Sequence, residues 1–189
     1  MSKSKIVLDA NVLYGSFLRD LLLSLFFAGI YEAKWTEKIT REWVGHLLKN
    51  EPDITEVKIG RTLDLMNKIK PAALISNYER YIAEVNIPDK DDRHVVAAAI
   101  ASGAQKIVTW NLSDFPNKVL KVFGVIAESP DKFISDLILD NPGAIVPVLK
   151  AMRERFKAPP MSVQDFFLRL DKNRLSMTAK QLERYRDLL

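Results

Sequence analysis

Ile6-Val7-Leu8-Asp9-Ala10-Asn11 is a short apolar run that ends in a carboxylate and an amide. Its length and its apolar side chains are typical of a strand buried on both faces, and a helical pattern of apolar residues follows from Ser16 to Ala28. In an open parallel sheet, sites form just outside the carboxyl ends of the strands. Asp9 is therefore predicted to lie where such a fold places a functional group.

Three further acidic residues occupy comparable positions. Asp114 follows a second predicted strand, residues 106–109, Asp92 stands in the first turn of a predicted helix, and Glu42 lies on another predicted helix. Carboxylates that are brought together repel one another, so each favours a counter-cation. Oxygen ligands suit Mg²⁺ or Mn²⁺, and these ions commonly promote phosphoryl-ester chemistry. The pattern predicts a divalent-metal site built from these acids.

Each of the four acids also has a purely structural interpretation. Asp9 and Asp114 suit turns and helix caps, and Glu42 suits an exposed helix position. Asp92 lies in line with Val96 on the apolar face of its helix, where an unpaired charge is costly, although a cap remains an alternative. Four such coincidences at strand ends and helix starts favour a functional interpretation.

The amino-acid composition excludes several kinds of catalytic and metal site. The chain has 189 residues, of which 48% are hydrophobic and 28% charged, as in an ordinary soluble globular protein. The absence of cysteine excludes disulfides, zinc–thiolate sites and a cysteine nucleophile, and only two histidines are present. The longest apolar stretch, residues 21–30, is too short to span a bilayer. We therefore expect a cytoplasmic protein with no membrane partner.

The order of predicted elements favours an α/β fold. Helical patterns alternate with predicted strands at residues 5–9, 72–76, 106–109 and 122–127, and residues 33–35 form a further short extended stretch. This order predicts a three-layer α/β/α sandwich around a short, mostly parallel sheet. After Ser129-Pro130 only helices are predicted, so residues 1–130 are interpreted as one domain and residues 131–189 as a helical C-terminal extension.

The extension carries most of the positive charge. Residues 141–189 hold ten Lys/Arg and five Asp/Glu, a net of +5, whereas residues 1–140 carry a net of −1. A basic region beside an acidic cluster is compatible with a nucleic-acid ligand. In one alternative, six cations turn toward the acidic site: Lys150, Arg153, Arg155, Lys157, Arg184 and Arg186. In the other, the extension packs through its apolar residues on the body or on a second subunit: Ile145, Val148, Leu149, Met152 and Phe156.

Motif order and spacing point to a family. Together with Glu42 on its helix, residues 6–13, 89–100 and 107–115 closely resemble PIN-domain ribonucleases, and the branch resembles the VapC-type toxins of bacterial toxin–antitoxin pairs. The resemblance covers roughly residues 3–130. It implies a PIN-like nuclease domain, and it says nothing of the role of the helices that follow.

The resemblance also implies a set of site residues. Four acids would bind one or two Mg²⁺ or Mn²⁺ ions and carry the catalysis: Asp9, Glu42, Asp92 and Asp114. Three polar residues would line the same site: Asn11, Thr109 and Asn111. Many relatives have Asp where this chain has Asn111, which leaves Asp114 to supply the fourth charge.

The function implied is metal-dependent hydrolysis of RNA phosphodiester bonds, by the toxin of a type II toxin–antitoxin pair. RNA is then the substrate and an antitoxin protein the expected partner, and a homodimer is left open. Two alternatives are a housekeeping RNA-processing nuclease and a non-catalytic RNA-binding scaffold of the same fold. A haloacid-dehalogenase-type phosphatase would need a second Asp where Asn11 stands, and the chain contains no P-loop or dinucleotide-binding glycine motif.

Overall fold

A parallel sheet of four short strands forms the centre of the molecule. The computed structural model describes residues 3–51, 54–68 and 73–189. The strands are β1 (Lys5–Leu8), β2 (Glu32–Lys34), β3 (Lys106–Val108) and β4 (Ile126–Glu128), in the order β2-β1-β3-β4. Successive residues of a strand face opposite sides, yet Ile6, Val7 and Leu8 are all fully buried. Both faces of the sheet are therefore covered, which confirms the predicted α/β sandwich.

The register of the two central strands aligns their carboxyl ends. Leu8 of β1 pairs with Val108 of β3, and the Asp9 N–H donates to the Val108 carbonyl at 3.2 Å. Asp9 and Thr109, the next residues along the two strands, therefore leave the sheet side by side. This alignment positions the site described below.

The helices begin and end close to the positions that the sequence predicts. Those before β4 are α1 (Ala10–Tyr14), α2 (Ser16–Phe27), α3 (Glu37–Asn50), α4 (Glu56–Lys68), α5 (Arg93–Ser102) and α6 (Asn117–Leu120), with 3-10 turns at Glu79–Glu84 and Lys121–Phe123. The Thr36 hydroxyl accepts from the Ile39 N–H at 3.1 Å and so begins α3. Gly103 ends α5 with a φ of 65°, a left-handed conformation that glycine adopts at little cost. The sequence also predicts a helix over residues 55–69 that Pro71 closes, and the end of that prediction lies outside the described residues.

The predicted strand at 72–76 is wrong in the part that the structure describes, residues 73–76. Leu74 forms an isolated bridge with Trp35, which donates to the Ala73 carbonyl at 3.1 Å and accepts from Ile75 at 2.8 Å. No ladder extends from this bridge, because β2 has already ended and α3 begins two residues beyond Trp35.

The predicted strand at 122–127 starts too early. Lys121–Phe123 form a 3-10 turn in which Val122 is 77% exposed, and β4 begins only at Ile126. Gly124 takes a φ of 69°, which ends the turn and redirects the chain before extended structure can form. The prediction is therefore correct for residues 126 and 127 and wrong for residues 122–125.

The C-terminal helices share the core of the sheet. They are α7 (Pro130–Asp140), α8 (Pro142–Glu154), α9 (Val163–Lys172) and α10 (Ser176–Leu182), followed by a 3-10 turn at Glu183–Leu188. Phe133 of α7 meets Tyr31 edge-on with ring centroids 5.1 Å apart, and Phe166 of α9 meets Phe17 of α2 at 5.8 Å. Buried residues of the sheet and of these helices form one hydrophobic cluster. The division of the chain at residue 130 stays a prediction.

The structure also decides between the two alternatives for the basic extension. Ile145, Leu149 and Met152 of α8 are fully buried, as the packing alternative predicts. Arg153 donates to the backbone carbonyls of Met161 and Leu189, and none of the six cations expected to turn toward the acidic site lines it. The first alternative is therefore wrong for those six residues. None of the helices in the described ranges is both long and apolar enough to cross a bilayer.

Candidate active site

Asp9 is the most firmly held of the predicted site residues. Its Oδ1 accepts from the Ala10 N–H at 2.7 Å, and its Oδ2 accepts from Asn11 Nδ2 and from Thr109 Oγ1, each at 2.7 Å. Asp9 is only 4% exposed, and burial raises the pKa of its carboxyl although the hydrogen bonds from Thr109 and Ala10 act in the opposite direction. The carboxylate is therefore fixed in one orientation at the end of β1.

A polar network ties the loop after β3 to the start of α1. Asn11 Nδ2 also donates to Thr109 Oγ1 at 2.9 Å, and Asn11 Oδ1 accepts from the Trp110 N–H at 3.1 Å. The Asn111 N–H donates to the same Thr109 hydroxyl at 3.0 Å. Asn11, Thr109 and Asn111 were predicted to lie together, and the structure brings them together around Asp9.

Asp92 is not the helix cap that its position allows. It precedes α5 with φ −85° and ψ −3°, and its side chain accepts no capping hydrogen bond. The carboxyl is half-buried, and its pKa is raised to about 6 by burial first and then by the negative charges of Asp9 and Asp89, with a smaller contribution from Asp114. The Asp92 side chain therefore does not cap the helix, and the negative charges of the surrounding acids disfavour its ionised form.

Glu42 approaches the same region from α3. Its Oε1 lies 3.1 Å from Nε2 of the buried His94 and 3.8 Å from Nζ of Lys38. The contact with His94 has the distance of an ion pair without the angles of a hydrogen bond, and neither ring nitrogen of His94 has a hydrogen-bond partner among the described residues. The negative charge of Glu42 adds to the causes that raise the pKa of Asp9.

These side chains surround a cleft of about 610 Å³. Five of the predicted site residues line it: Asp9, Asn11, Glu42, Asp92 and Asn111. Thr109 lies beneath the cleft as a hydrogen-bond donor to Asp9. Asp114 is not among the lining residues, because its loop turns back and its N–H donates to the Asn111 carbonyl at 3.0 Å. Asp114 therefore acts on the cleft through its charge on Asp92 and not through direct contact.

Sequence reasoning missed several lining residues. Tyr14, Trp43, His46, Asn50 and Asp91 also face the cleft. A signal for two of them was present, because His46 and Asn50 follow Glu42 at spacings of four and eight residues and so share one face of α3. His94 was missed because the helical pattern placed it away from Asp92, whereas its actual neighbour is Glu42 on another helix.

The donor chemistry of the cleft fits a hard divalent cation. Asp9, Glu42 and Asp92 offer carboxylate oxygens, and their mutual repulsion is the condition that a cation relieves. Across residues 3–51, 54–68 and 73–189, no three His, Asp or Glu side chains are grouped closely enough to hold an ion together. Mg²⁺ usually keeps several waters and binds one or two carboxylates, so a closed cage of protein ligands is not required.

Comparisons with known proteins agree with this geometry. Residues 5–113 match the PIN domain family, and residues 130–184 match the VapC50 C-terminal domain family. A protein of Mycobacterium tuberculosis (strain ATCC 25618 / H37Rv) named "Putative ribonuclease VapC50" is 37% identical over 90 residues, which are 48% of this chain and 53% of that protein. The chain thus spans about half the length of this curated relative, and no solved structure matches. Because the PIN match covers more than half of the sequence, the chain belongs to the PIN-domain family.

Proposed function

We propose that this protein is a metal-dependent ribonuclease that hydrolyses RNA phosphodiester bonds. The observation that carries the proposal is the pair Asp9 and Asp92, two carboxylates that line one cleft and repel each other, so that the charge of Asp9 helps to raise the pKa of Asp92. A structural acid would be paired or would cap a helix, and Asp92 does neither. The name of the curated relative, a ribonuclease, supports the same chemistry.

In this proposal the chain's own residues have distinct tasks. Asp9 and Asp92 would hold the cation, and the hydrogen bonds from Asn11 and Thr109 keep the Asp9 carboxylate in one orientation. Glu42 and Asp114 add negative charge at the edges of the site. A bound Mg²⁺ or Mn²⁺ lowers the pKa of water and neutralises charge on the phosphate. Exposed Asn111 presents its amide to the substrate at the same edge.

Water is the nucleophile in this account. The chain has no cysteine, and no serine or threonine is among the described residues that line the cleft. Apart from Ala10, the residues that line the cleft are acids, amides, His46 and two aromatic residues. Such a lining suits binding and orientation of a phosphodiester, with the attacking group supplied by solvent.

Cleavage of a labelled single-stranded RNA tests the proposal. We expect cleavage with Mn²⁺ or Mg²⁺, none with EDTA, and a loss of at least about a hundredfold in Asp92→Asn, because electrostatic stabilisation of the transition state is commonly worth that much. Asp140→Asn is the matched control, since Asp140 is an exposed acid at the end of α7, outside the cleft. Wild-type rates in Asp92→Asn would overturn the proposal, and RNA binding without cleavage by the wild type would favour the scaffold alternative.

We further propose that the enzyme acts as the toxin of a type II toxin–antitoxin pair, with an antitoxin protein as partner. Similarity to the VapC50 C-terminal domain family and to the relative named "Putative ribonuclease VapC50" supports this role. Induction in bacteria should arrest growth, and Asp9→Asn should relieve the arrest at equal protein levels. Equal growth with both proteins, together with cleavage in vitro, would favour the housekeeping-nuclease alternative.

A further inference from the structure

A second cleft, of about 550 Å³, lies beside the first and shares Tyr14 with it. One wall is formed by α1, the start of α2 and the region around Glu51, and the other by the end of α9. Tyr14, at the junction, is partly exposed. The two clefts therefore meet at one aromatic residue. All residues that line the first cleft belong to the PIN match, whereas the second cleft also needs α9, which lies beyond that match.

The second cleft has the opposite charge to the first. Arg169 and Lys172, one turn apart in the last turn of α9, line it with exposed side chains, and neither makes an ion pair with another described residue. Arg19 adds a third cation, and among the described lining residues Glu51 is the only acid. The lining therefore has a net charge of +2, whereas the first cleft is lined by Asp9, Glu42, Asp91 and Asp92.

Contacts with neighbouring groups set the positions of two of these cations, Arg169 and Arg19. The Arg169 guanidinium lies over the Phe156 ring at 5.1 Å from its centroid. Arg19 donates to the carbonyls of Leu13 and Tyr14 at 2.6 and 2.9 Å and lies 4.8 Å from the centre of the Trp43 ring, so it is a fixed charge at the base of the cleft. A cation that is held in place loses little conformational entropy when an anion binds.

We propose that this second cleft binds backbone phosphates of a single-stranded segment of the same RNA that is cut in the first. The inference rests on the proposed function. A positive groove that meets an aromatic residue is the usual arrangement for single-stranded nucleic acid, where cations follow the backbone and a ring stacks on a base. The continuity of the two clefts through Tyr14 favours one strand over a separate ligand.

The inference gives the C-terminal helices a place in the substrate site. The PIN-type carboxylates repel a bare RNA backbone, so a nearby positive surface is needed to retain the strand on either side of the cut. In this chain Arg169 and Lys172 supply that surface from α9, which Phe166 anchors to Phe17 of the body. Contacts of this kind position the strand and carry little sequence information.

RNA binding in EDTA tests the inference separately from catalysis. The probe is a fluorescein-labelled 16-nucleotide single-stranded RNA, titrated by anisotropy from about 50 to 300 mM NaCl. For Arg169→Ala/Lys172→Ala we expect about a tenfold weaker Kd at the lowest salt and a log–log salt slope shallower by about 1.4, since each phosphate contact on a single strand contributes about 0.7. The pair Lys180→Ala/Arg184→Ala removes the same charge from exposed positions outside the cleft and should leave the slope unchanged.

A pair with Gln at both positions keeps part of each aliphatic stem and should weaken binding equally, which separates lost charge from lost packing on Phe156. Unchanged binding by the Arg169/Lys172 variants, as expected if the cleft instead receives an acidic protein segment, would overturn the inference. An equal loss of RNA affinity in both alanine pairs would also overturn the inference, because the loss would then follow from the lower net charge of the protein and not from the second cleft. If the proposed function itself is wrong, a different result is expected: the wild type shows no Mn²⁺-dependent cleavage of RNA.

Discussion

Two acids, the half-buried Asp92 at the first cleft and the buried Asp131 in the C-terminal helices, show how the same residue type can have different roles. Asp131 is 6% exposed, and its two oxygens accept from the backbone N–H groups of Met177 and Thr178 at 2.9 and 2.8 Å. Its charge is therefore matched by the start of α10. Asp92 has no such donors and faces other acids. The partnered charge of Asp131 therefore has a structural role, whereas the unpartnered charge of Asp92 supports the proposal that the first cleft binds a cation.

The largest effect on stability is expected where the two regions meet. Phe166→Ala should lower the free energy of unfolding by about 3–5 kcal/mol, because a fully buried ring is removed from its contact with Phe17. Urea denaturation followed by fluorescence should show one transition at lower urea. If a second transition appeared while the body stayed native, residues 131–189 would be a separately stable domain. Leu168→Ala, at an exposed position on the same helix, is the control.

Asp131→Ala should have the next largest effect, about 2–4 kcal/mol, since it leaves the buried N–H of Thr178 and the partly buried N–H of Met177 without an acceptor. The same denaturation assay measures the loss. Asp131→Asn should lose less, because its amide oxygen can still accept one bond. Stability within about 0.5 kcal/mol of wild type in the alanine variant would contradict the structural role assigned to this acid.

Asp92→Asn, in contrast, should raise the free energy of unfolding of the metal-free protein. Burial and the neighbouring acids raise the pKa of Asp92 in the folded chain to about 6 from an unperturbed 3.8. The stabilising contribution of the protonated carboxyl is complete below about pH 4 and is lost as the pH rises through 6. In EDTA we expect Asp92→Asn to be more stable than wild type at pH 7.5, with the difference vanishing by about pH 4. A difference that does not change with pH would contradict this account.

A smaller effect is expected from the support of Asp9. Thr109→Val removes the hydroxyl that donates to Asp9 Oδ2 at 2.7 Å and keeps the shape of the side chain. Loss of such a supporting bond typically lowers metal affinity or activity about tenfold to a hundredfold. Thr109→Ser should restore most of both. An inactive serine variant would mean that Thr109 acts through packing and not through its hydroxyl.

Most strands and helices before residue 130 were predictable, because the residues that begin or end them lie within or next to them. The apolar run of β1 ends at Asp9, Thr36 begins α3 and Gly103 ends α5, and each of these signals acts within a few residues. β4 was misplaced because Gly124 inserts a turn into an apolar run. At this position the left-handed backbone conformation of Gly124, and not the apolar pattern, decides where the strand begins.

The candidate site was predictable to the extent that it follows strand ends. Asp9 and Thr109 adjoin because parallel pairing aligns β1 with β3, whereas the contact of Glu42 with His94 depends on how α3 and α5 pack. The basic cleft was not predictable, because Arg169 reaches the body only through tertiary packing of α9. The net positive charge of the extension can be counted from the sequence, but the surface on which the basic side chains lie cannot.

Thermal unfolding with and without Mn²⁺ tests the central claim most directly, namely that Asp9 and Asp92 form an acidic site that a divalent cation completes. At pH 7.5 and a hundredfold excess of Mn²⁺ over its Kd, the wild type should gain about 2.7 kcal/mol and its Tm should rise by several degrees. Asp140→Asn should show the same rise and Asp92→Asn little or none. An equal rise in wild type and Asp92→Asn, or no rise in either, would contradict the account.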